Sequence, residues 1–332
     1  MFLYTPPMVI AGIDEAGYGP VLGPLAVACA AFQVPDPAPD SVDALPCLWQ
    51  RLRRAVSPNR DRSGRRLHVN DSKLVYSPAA GLKELERSVL AFSSLVHGAS
   101  PTLDHAIAAM APDATAELAA HPWYAPHTDE RFPIEHDPAS LRITANALRA
   151  EMDRGRCACV HLAARIVPER QLNRMFEATG NKASVLFSLA AGHLDTLLRT
   201  FADRGLVVFC DRQGGREHYG RLLRLMFEDW ALRVERERDG ASEYVLQRGG
   251  HAVRLVFTEK AEGRCMAVAL ASMAAKYLRE ALMRRFNAWW ALRLPGITPT
   301  AGYYTDGMRF LNDIQAKRLE LGIPDGELVR SR

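Results

Sequence analysis

The sequence predicts an α/β fold built on a mixed sheet flanked by helices. Three observations carry that expectation. Two apolar strand-like runs, residues 9–13 and 25–32, open the chain with a glycine-rich turn between them. From Leu141 onward, strand patterns alternate with stretches of helical period. Three segments, residues 231–238, 243–248 and 252–257, then read as an antiparallel meander before a long Ala-rich helix. Strands first and strand–helix alternation afterwards is the order that builds such a sheet.

After the second strand comes a Pro/Asp-rich connection, "QVPDPAPDSVDALP", then a basic segment, a short strand at residues 67–69 and "NDSKLVYSP". Ser77-Pro78 predicts a helix start, with Ser as cap and Pro in the first turn, running through "AAGLKELERSVLAF". Residues 97–138 hold no period of 2 or 3.6 and carry Pro122, Pro126, Pro133 and Pro138, so an inserted loop or small subdomain is expected. His121, His127 and His136 fall in it without a zinc-ligand spacing, and no metal is expected there. A helix over residues 141–153 and a strand over 159–166 follow, then the helical stretches "PERQLNRMFEA" and "KASVLFSLAAGHLDTLLRTF". "GLVVFCD" is a continuous apolar strand ending in an acid; a helix near 216–228, the meander and a helix over 265–290 complete the pattern.

The chain has 332 residues, 48% hydrophobic and 24% charged, the composition of a globular protein able to bury a sizeable core. Six cysteines, at 29, 47, 157, 159, 210 and 265, form no C-x-x-C pair, which argues against a zinc or disulfide framework and suits a reducing cytoplasm. "MFLYTPPMVIAG" lacks the features of a signal peptide, and no apolar run is long enough to span a bilayer. The net charge of +4 is concentrated: residues 51–66 hold Arg51, Arg53, Arg54, Arg60, Arg62, Arg65 and Arg66. Such a run is either a solvated loop or a surface that follows phosphates.

The stretch "VIAGIDEAGYGPVLGP" ends an apolar strand in two adjacent acids, Asp14 and Glu15, before a glycine-rich turn. A polar turn is the ordinary fate of such residues. Two further apolar strands also run into acids, one at Asp211 and one at Glu259 and Glu262. Strand ends are where open α/β sheets place their ligand sites. Carboxylates gathered there repel one another unless cations neutralise them, and hard divalent cations take oxygen ligands. Two such ions can clamp the attacking and leaving oxygens of a phosphodiester.

"GIDEAGYGPVLGPLAVA" resembles the opening signature of the type 2 ribonucleases H, ribonuclease HII and its relative HIII: an Asp-Glu pair, a Gly-x-Gly turn and a following Gly-Pro. "NDSKLVYSP" is similar to the family's Asp-Ser-Lys segment, "VVFCDRQ" to its third-acid strand, "EKAEGRCMAVALASMAAKYLREALM" to its fourth segment and "GYYTDGMRFL" to its C-terminal Gly-Tyr segment, all in the family's order. The resemblance implies a ribonuclease H-like fold over residues 1–292, with 97–138 as an insertion and 293–332 as a C-terminal helical extension near the substrate groove. It implies Mg2+ or Mn2+, two ions with substrate, held by Asp14, Glu15, Asp211 and Glu262. It also implies hydrolysis of the RNA strand of RNA–DNA hybrids, or of DNA containing ribonucleotides, to 5′-phosphate and 3′-hydroxyl ends by a cytoplasmic monomer. Its substrate-binding positions fall on Gly17, Tyr18, Gly19, Lys73, Ser272, Lys276 and Tyr303.

Each of these also has a plainer reading: a packed loop aromatic for Tyr303, helix packing for Ser272, solvated lysines for Lys73 and Lys276. Three departures stand out. Tyr18 occupies the position of the Arg with which ribonuclease HII reads an RNA–DNA junction, Glu262 that of an Asp, and Arg212-Gln213 that of a small residue and Asn. They leave open a nucleic-acid-binding protein with altered catalysis. An actin-like ATPase, the remaining alternative, gives Glu15 and the Asp-Ser-Lys segment no role.

Overall fold

The computed structural model describes residues 7–126, 130–213, 215–238 and 240–331. Its strands, in chain order, are β1 Met8–Ala16, β2 Leu25–Val34, β3 Val56–Ser57, β4 Leu67–His68, β5 Ala158–Val167, β6 Val207–Asp211, β7 Ala231–Arg238, β8 Ala241–Arg248 and β9 His251–Thr258. Seven form one sheet in the order β5-β2-β1-β6-β9-β8-β7, while β3 and β4 pair with each other. β1 is antiparallel to β2 and parallel to β6; β6 is parallel to β9, and β9, β8 and β7 form the antiparallel meander. With helices on both faces, this is the mixed α/β sheet that the sequence predicts.

Strand alternation sorts β1 between two cores. Ile10 belongs to the core under the long helix Met266–Arg293, whereas Val9, Ala11 and Ile13 belong to the core under the helix Lys182–Phe201. The long helix lies so close to β1 that a Cβ at Gly12 would overlap the backbone of Ala267 and Val268. Glycine is required at that contact. The approach brings Ser272, one turn beyond Val268, beside Asp14, two residues beyond Gly12.

Several boundaries differ from expectation. The helix after Ser77-Pro78 starts at Lys83: residues 77–81 form a turn, with the Ala80 and Gly81 amides donating to the Ser77 carbonyl and Gly81 at φ +67°. The helix expected near 216–228 is Gly220–Met226, because the Tyr219 amide donates to the Tyr244 hydroxyl instead of starting a helix earlier. β1 does not stop at Ile13 but continues to Ala16.

The described part of residues 97–138 carries secondary structure of its own. It contains the helices Leu103–Met110 and Thr115–Ala119 and a 3-10 turn, Pro122–Tyr124. Leu103, Ala106, Ile107 and Met110 are buried at helical spacing, a short period hidden beside the Pro-rich stretch. Trp123 is fully buried, its ring 6.2 Å from Phe286 and 6.0 Å from Trp289 on the long helix. Burying a side chain of this kind contributes about 1.5–3 kcal/mol, so the segment is part of the core. Residues 293–331 carry the helices Tyr304–Glu320 and Asp325–Leu328, with Phe310 packed 5.6 Å from Phe286. Among the described residues no helix is long and apolar enough to cross a membrane.

Candidate active site

The register of β1 against β6 places the acids. Ile13 pairs with Cys210, the last pair of that parallel ladder, so Asp14 and Asp211 follow side by side where the two strands part. Asp14 and Glu15 are consecutive on a continuing strand and leave it on opposite sides. Asp14, 9% exposed, turns toward the long helix, near Ser272, and accepts at 2.7 Å from the Glu15 amide. Beyond Thr258 the chain enters a left-handed residue, Lys260 at φ +54°, and a 3-10 turn over Ala261–Gly263. That turn points the Ala261 amide at Asp211 Oδ1, 3.1 Å away, and carries Glu262.

The electrostatics are those of a site short of positive charge. Burial, then repulsion from Glu15 and Asp211, holds Asp14 well above the usual carboxylate range. Burial and Asp211 push Glu15 up to about 7. Burial raises Asp211 and Glu262 too, and at Glu262 Asp211 and Asp71 add to it. Lys73 is the cation facing this group: burial pulls its pKa down, but Asp71, Asp14, Glu262 and Asp211 together hold it above its ordinary value. Asp71 is a fifth acid that the sequence reading left out of the set. It caps the short helix Ser72–Val75 by accepting from the Lys73 amide at 3.0 Å, and "NDSK" was the signal that pointed to it.

The glycine turn is backed by two buried arginines that sequence reasoning missed. Gly17 has φ +87°, and a Cβ there would strike Arg279 Nε at 2.5 Å and the Pro24 carbonyl at 2.8 Å. Arg330 donates to the Gly17 carbonyl at 2.5 Å, to the Tyr18 carbonyl at 3.2 Å and to the Gly23 carbonyl at 3.5 Å. Burial and the nearby charge of Arg279 pull Arg330 down to about 10. Gly19 by contrast faces open space. Tyr303 is held against this turn because the Val21 and Leu22 amides both donate to the Gly302 carbonyl, at 2.8 and 3.2 Å. Its ring is 49% exposed, with the Arg279 guanidinium 5.7 Å from its centroid. Tyr18 is half-buried, packed against the core on the far side of the sheet.

Ser272, expected at a nucleic-acid groove, is instead buried: its hydroxyl lies 3.1 Å from that of Ser72 and near Asp14, so it has no open face. Lys276 is paired at 2.7 Å with Glu280, its ammonium 4.7 Å from the centre of the Tyr76 ring. Glu259 pairs with Arg212 at 2.6 Å, away from the other acids. In the basic segment Arg51 is a structural residue, donating to the Gly155 carbonyl and paired with Asp36, whereas Arg53, Arg54, Arg60, Arg62 and Arg65 are exposed. His121 bonds the Glu117 carbonyl and His136 the Lys83 carbonyl; His127 lies outside the described residues.

The donor set of the acid group is all oxygen, and burial and mutual repulsion keep these carboxyls from ionising freely. Both properties fit hard divalent cations such as Mg2+ or Mn2+. No three of the acids bring oxygens within 4.8 Å of one another; among the described residues only a Cys/His/His group does so. A cleft of about 1090 Å³ bordered by Asp195, Met226, Trp230 and Arg248 includes none of these acids.

No protein-family model and no curated protein matches the chain. Among solved structures it is similar to the RNase HII of a PCNA:RNase HII complex from Archaeoglobus fulgidus, at 16% identity over 98% of this chain and 94% of that one, with a TM-score of 0.42. It is similar to the ribonuclease H2 from Pyrococcus horikoshii OT3 at 12% identity, over 97% and 92%, with a TM-score of 0.41. It is also similar to Bst-RNase HIII in complex with Mn2+ at 16% identity, over 97% and 66%, with a TM-score of 0.41.

Proposed function

We propose that this chain is a divalent-cation-dependent endonuclease that hydrolyses the RNA strand of RNA–DNA hybrids, leaving 5′-phosphate and 3′-hydroxyl ends. One observation carries the reading: Asp14, Glu15, Asp211 and Glu262 stand at three neighbouring strand ends within electrostatic reach of one lysine, with carboxyls that burial holds above their ordinary pKa values. The ordered sequence resemblance to type 2 ribonucleases H supports it. Two Mg2+ or Mn2+ ions bound by these acids would supply Lewis acidity to the scissile phosphate and to the attacking water. The Glu15 amide keeps Asp14 oriented, and the Ala261 amide does the same for Asp211. Lys73 offers its ammonium to a phosphate. The Gly17–Gly19 turn and Tyr303 face a ribose, the turn through its backbone and the tyrosine through its exposed ring. The exposed arginines of residues 53–65 follow the phosphates, a contribution that weakens with salt.

Tyr18, half-buried against the second core, leaves the position of the family's Arg without a cation, and that lack sets the specificity. Tyr18 offers one hydroxyl where Arg would offer a charged fork, and loss of a charge-assisted bond costs roughly 1.5–3 kcal/mol. The preferred substrate is therefore a run of ribonucleotides, with little preference for a single embedded one. A cleavage panel tests this: a hybrid, a duplex with one ribonucleotide and plain DNA, each with Mg2+ and with Mn2+. Hybrid cleavage with plain DNA intact supports the activity, and no cleavage with either ion refutes it. Faster cutting of the single-ribonucleotide duplex than of the hybrid refutes the role given to Tyr18.

A further inference from the structure

The opposite face of the sheet holds a second cluster, built from different donors. Cys29 on β2, His161 on β5 and His193 on the helix Lys182–Phe201 each bring a ligating atom within 4.8 Å of the other two. Register explains the meeting of residues so far apart in sequence. Cys29 pairs with Ile13 on one side and Ala163 on the other, and Ala31 pairs with His161. Cys29 and Ala31, two apart, share the face of Ile13, which is the face away from Asp14. Helix Lys182–Phe201 covers that face and delivers His193 onto β2.

We propose that Cys29, His161 and His193 form a binding site for a borderline-soft divalent transition-metal ion, with Zn2+ as the fitting class, that ties β2, β5 and this helix together. A thiolate and two imidazoles are a zinc donor set, unlike the all-oxygen set on the other face. Tetrahedral bonds of zinc to sulfur and nitrogen put the ligand atoms roughly 3.3–3.7 Å apart, inside the 4.8 Å within which these atoms already lie.

Two independent observations point to a ligand. His193 Nε2 lies 3.0 Å from the Val27 carbonyl, so that nitrogen carries the proton and the lone pair of the neutral ring falls on Nδ1. A metal-bound histidine characteristically donates its other nitrogen to a carbonyl in this way. Burial, then the charge of Arg165, keeps this ring neutral, with a pKa pulled down to about 3. His161 in turn has a buried Nε2 with no hydrogen-bond partner, an uncommon state for a buried polar atom and one that coordination at this ring would relieve. Its ring is only partly covered and sits on the edge strand of the sheet, which leaves a path for an ion to enter.

Arg165 opposes the ion. Its guanidinium packs over Gly192, next to His193. Binding releases the Cys29 proton to solvent, and the thiolate so formed offsets one of the two charges of the ion.

The test is a Co2+ titration of the full chain carrying Cys47→Ser, which removes the exposed thiol, in excess Mg2+ to fill the acid site. The expected result is a thiolate-to-cobalt absorption band with tetrahedral visible bands, saturating at one ion per chain and erased by Zn2+. Cys29→Ser should abolish the thiolate band, and His161→Ala should weaken binding more than about tenfold. Circular dichroism of the metal-free variants establishes that they fold. If Cys29→Ser does not fold, His161→Ala on the edge strand serves alone. Absence of the band in the folded parent, a band that survives Cys29→Ser, or unchanged affinity in His161→Ala overturns the site. The readout is independent of nuclease activity.

Discussion

Carboxylates in this molecule are treated in two opposite ways. Glu86 is fully buried and wrapped by donors: the amides of Ile134, Glu135 and His136 at 2.6, 2.7 and 3.0 Å, and the Tyr277 hydroxyl at 3.1 Å. It staples the end of the 97–138 segment to the helix Lys83–His97. The acids around Lys73 have few donors and face one another. A carboxylate that builds structure is given hydrogen bonds until it is satisfied, whereas the acids around Lys73 are left under-neutralised, as the proposed cation site requires. Glu169 stands between the two. Its Oε1 accepts from the Gly23 amide and the Tyr124 hydroxyl, its Oε2 has no partner, and burial pushes it up to about 7.

The largest expected effect separates the two sets outright. Asp14→Asn keeps the shape and removes a charge, and cleavage should fall by about a thousandfold or more, since bound metal supplies several kcal/mol of transition-state stabilisation. Its circular dichroism should be unchanged. Turnover like that of the unaltered chain would remove Asp14 from the active group. Glu86→Gln should do the reverse. Replacing a charged acceptor of four bonds by an amide should cost about 1.5–3 kcal/mol in urea unfolding, with kcat per folded molecule retained. A Glu86 variant with full stability would break the comparison.

The metal-free protein sharpens it by pH. The folded-state pKa of Glu15, about 7, lies above its ordinary value of 4.5, so the folded state holds a proton that the unfolded chain releases. With chelator present, its contribution to stability is therefore complete below pH 4.5 and is lost as pH rises through 7. Thermal melts across that window should show the decline, Asp211→Asn should flatten it by removing the neighbouring charge that raises Glu15, and Mg2+ should reverse it. A melting temperature that climbs from pH 4.5 to 7 in chelator would contradict the account of these acids.

The smallest effect concerns the turn. Arg330→Lys keeps the charge but loses the planar fork that spans the Gly17 and Tyr18 carbonyls. Hybrid KM should rise about tenfold, the worth of one to two such bonds, with kcat nearly unchanged. An equal fall in kcat would move Arg330 from holding the turn to acting on the reacting groups.

Much of this was legible along the chain because it depends on local pattern. The apolar runs of β1, β2, β6 and the meander carry their period in the sequence, and their acids follow directly. The Ala-rich helix after Glu262 is equally plain. Where the reading failed, competing local signals were present. Ser77-Pro78 looks like a helix start, yet Gly81 closes a turn first. Leu103–Met110 is helical, but its period is short and sits beside a stretch crowded with proline.

By itself the sequence determined most of the strands, the long helices and the acids that follow β1, β6 and β9, because these follow from spacing over a few residues. Only the tertiary structure decided which side chains serve as partners. The pairing of Ile13 with Cys210 makes Asp14 and Asp211 neighbours. The contact at Gly12 turns Ser272 inward onto Asp14. Arg330 reaches a turn more than three hundred residues earlier. These depend on register and on close approach between distant segments, which are fixed by how whole faces bury against one another and leave no trace in local periodicity.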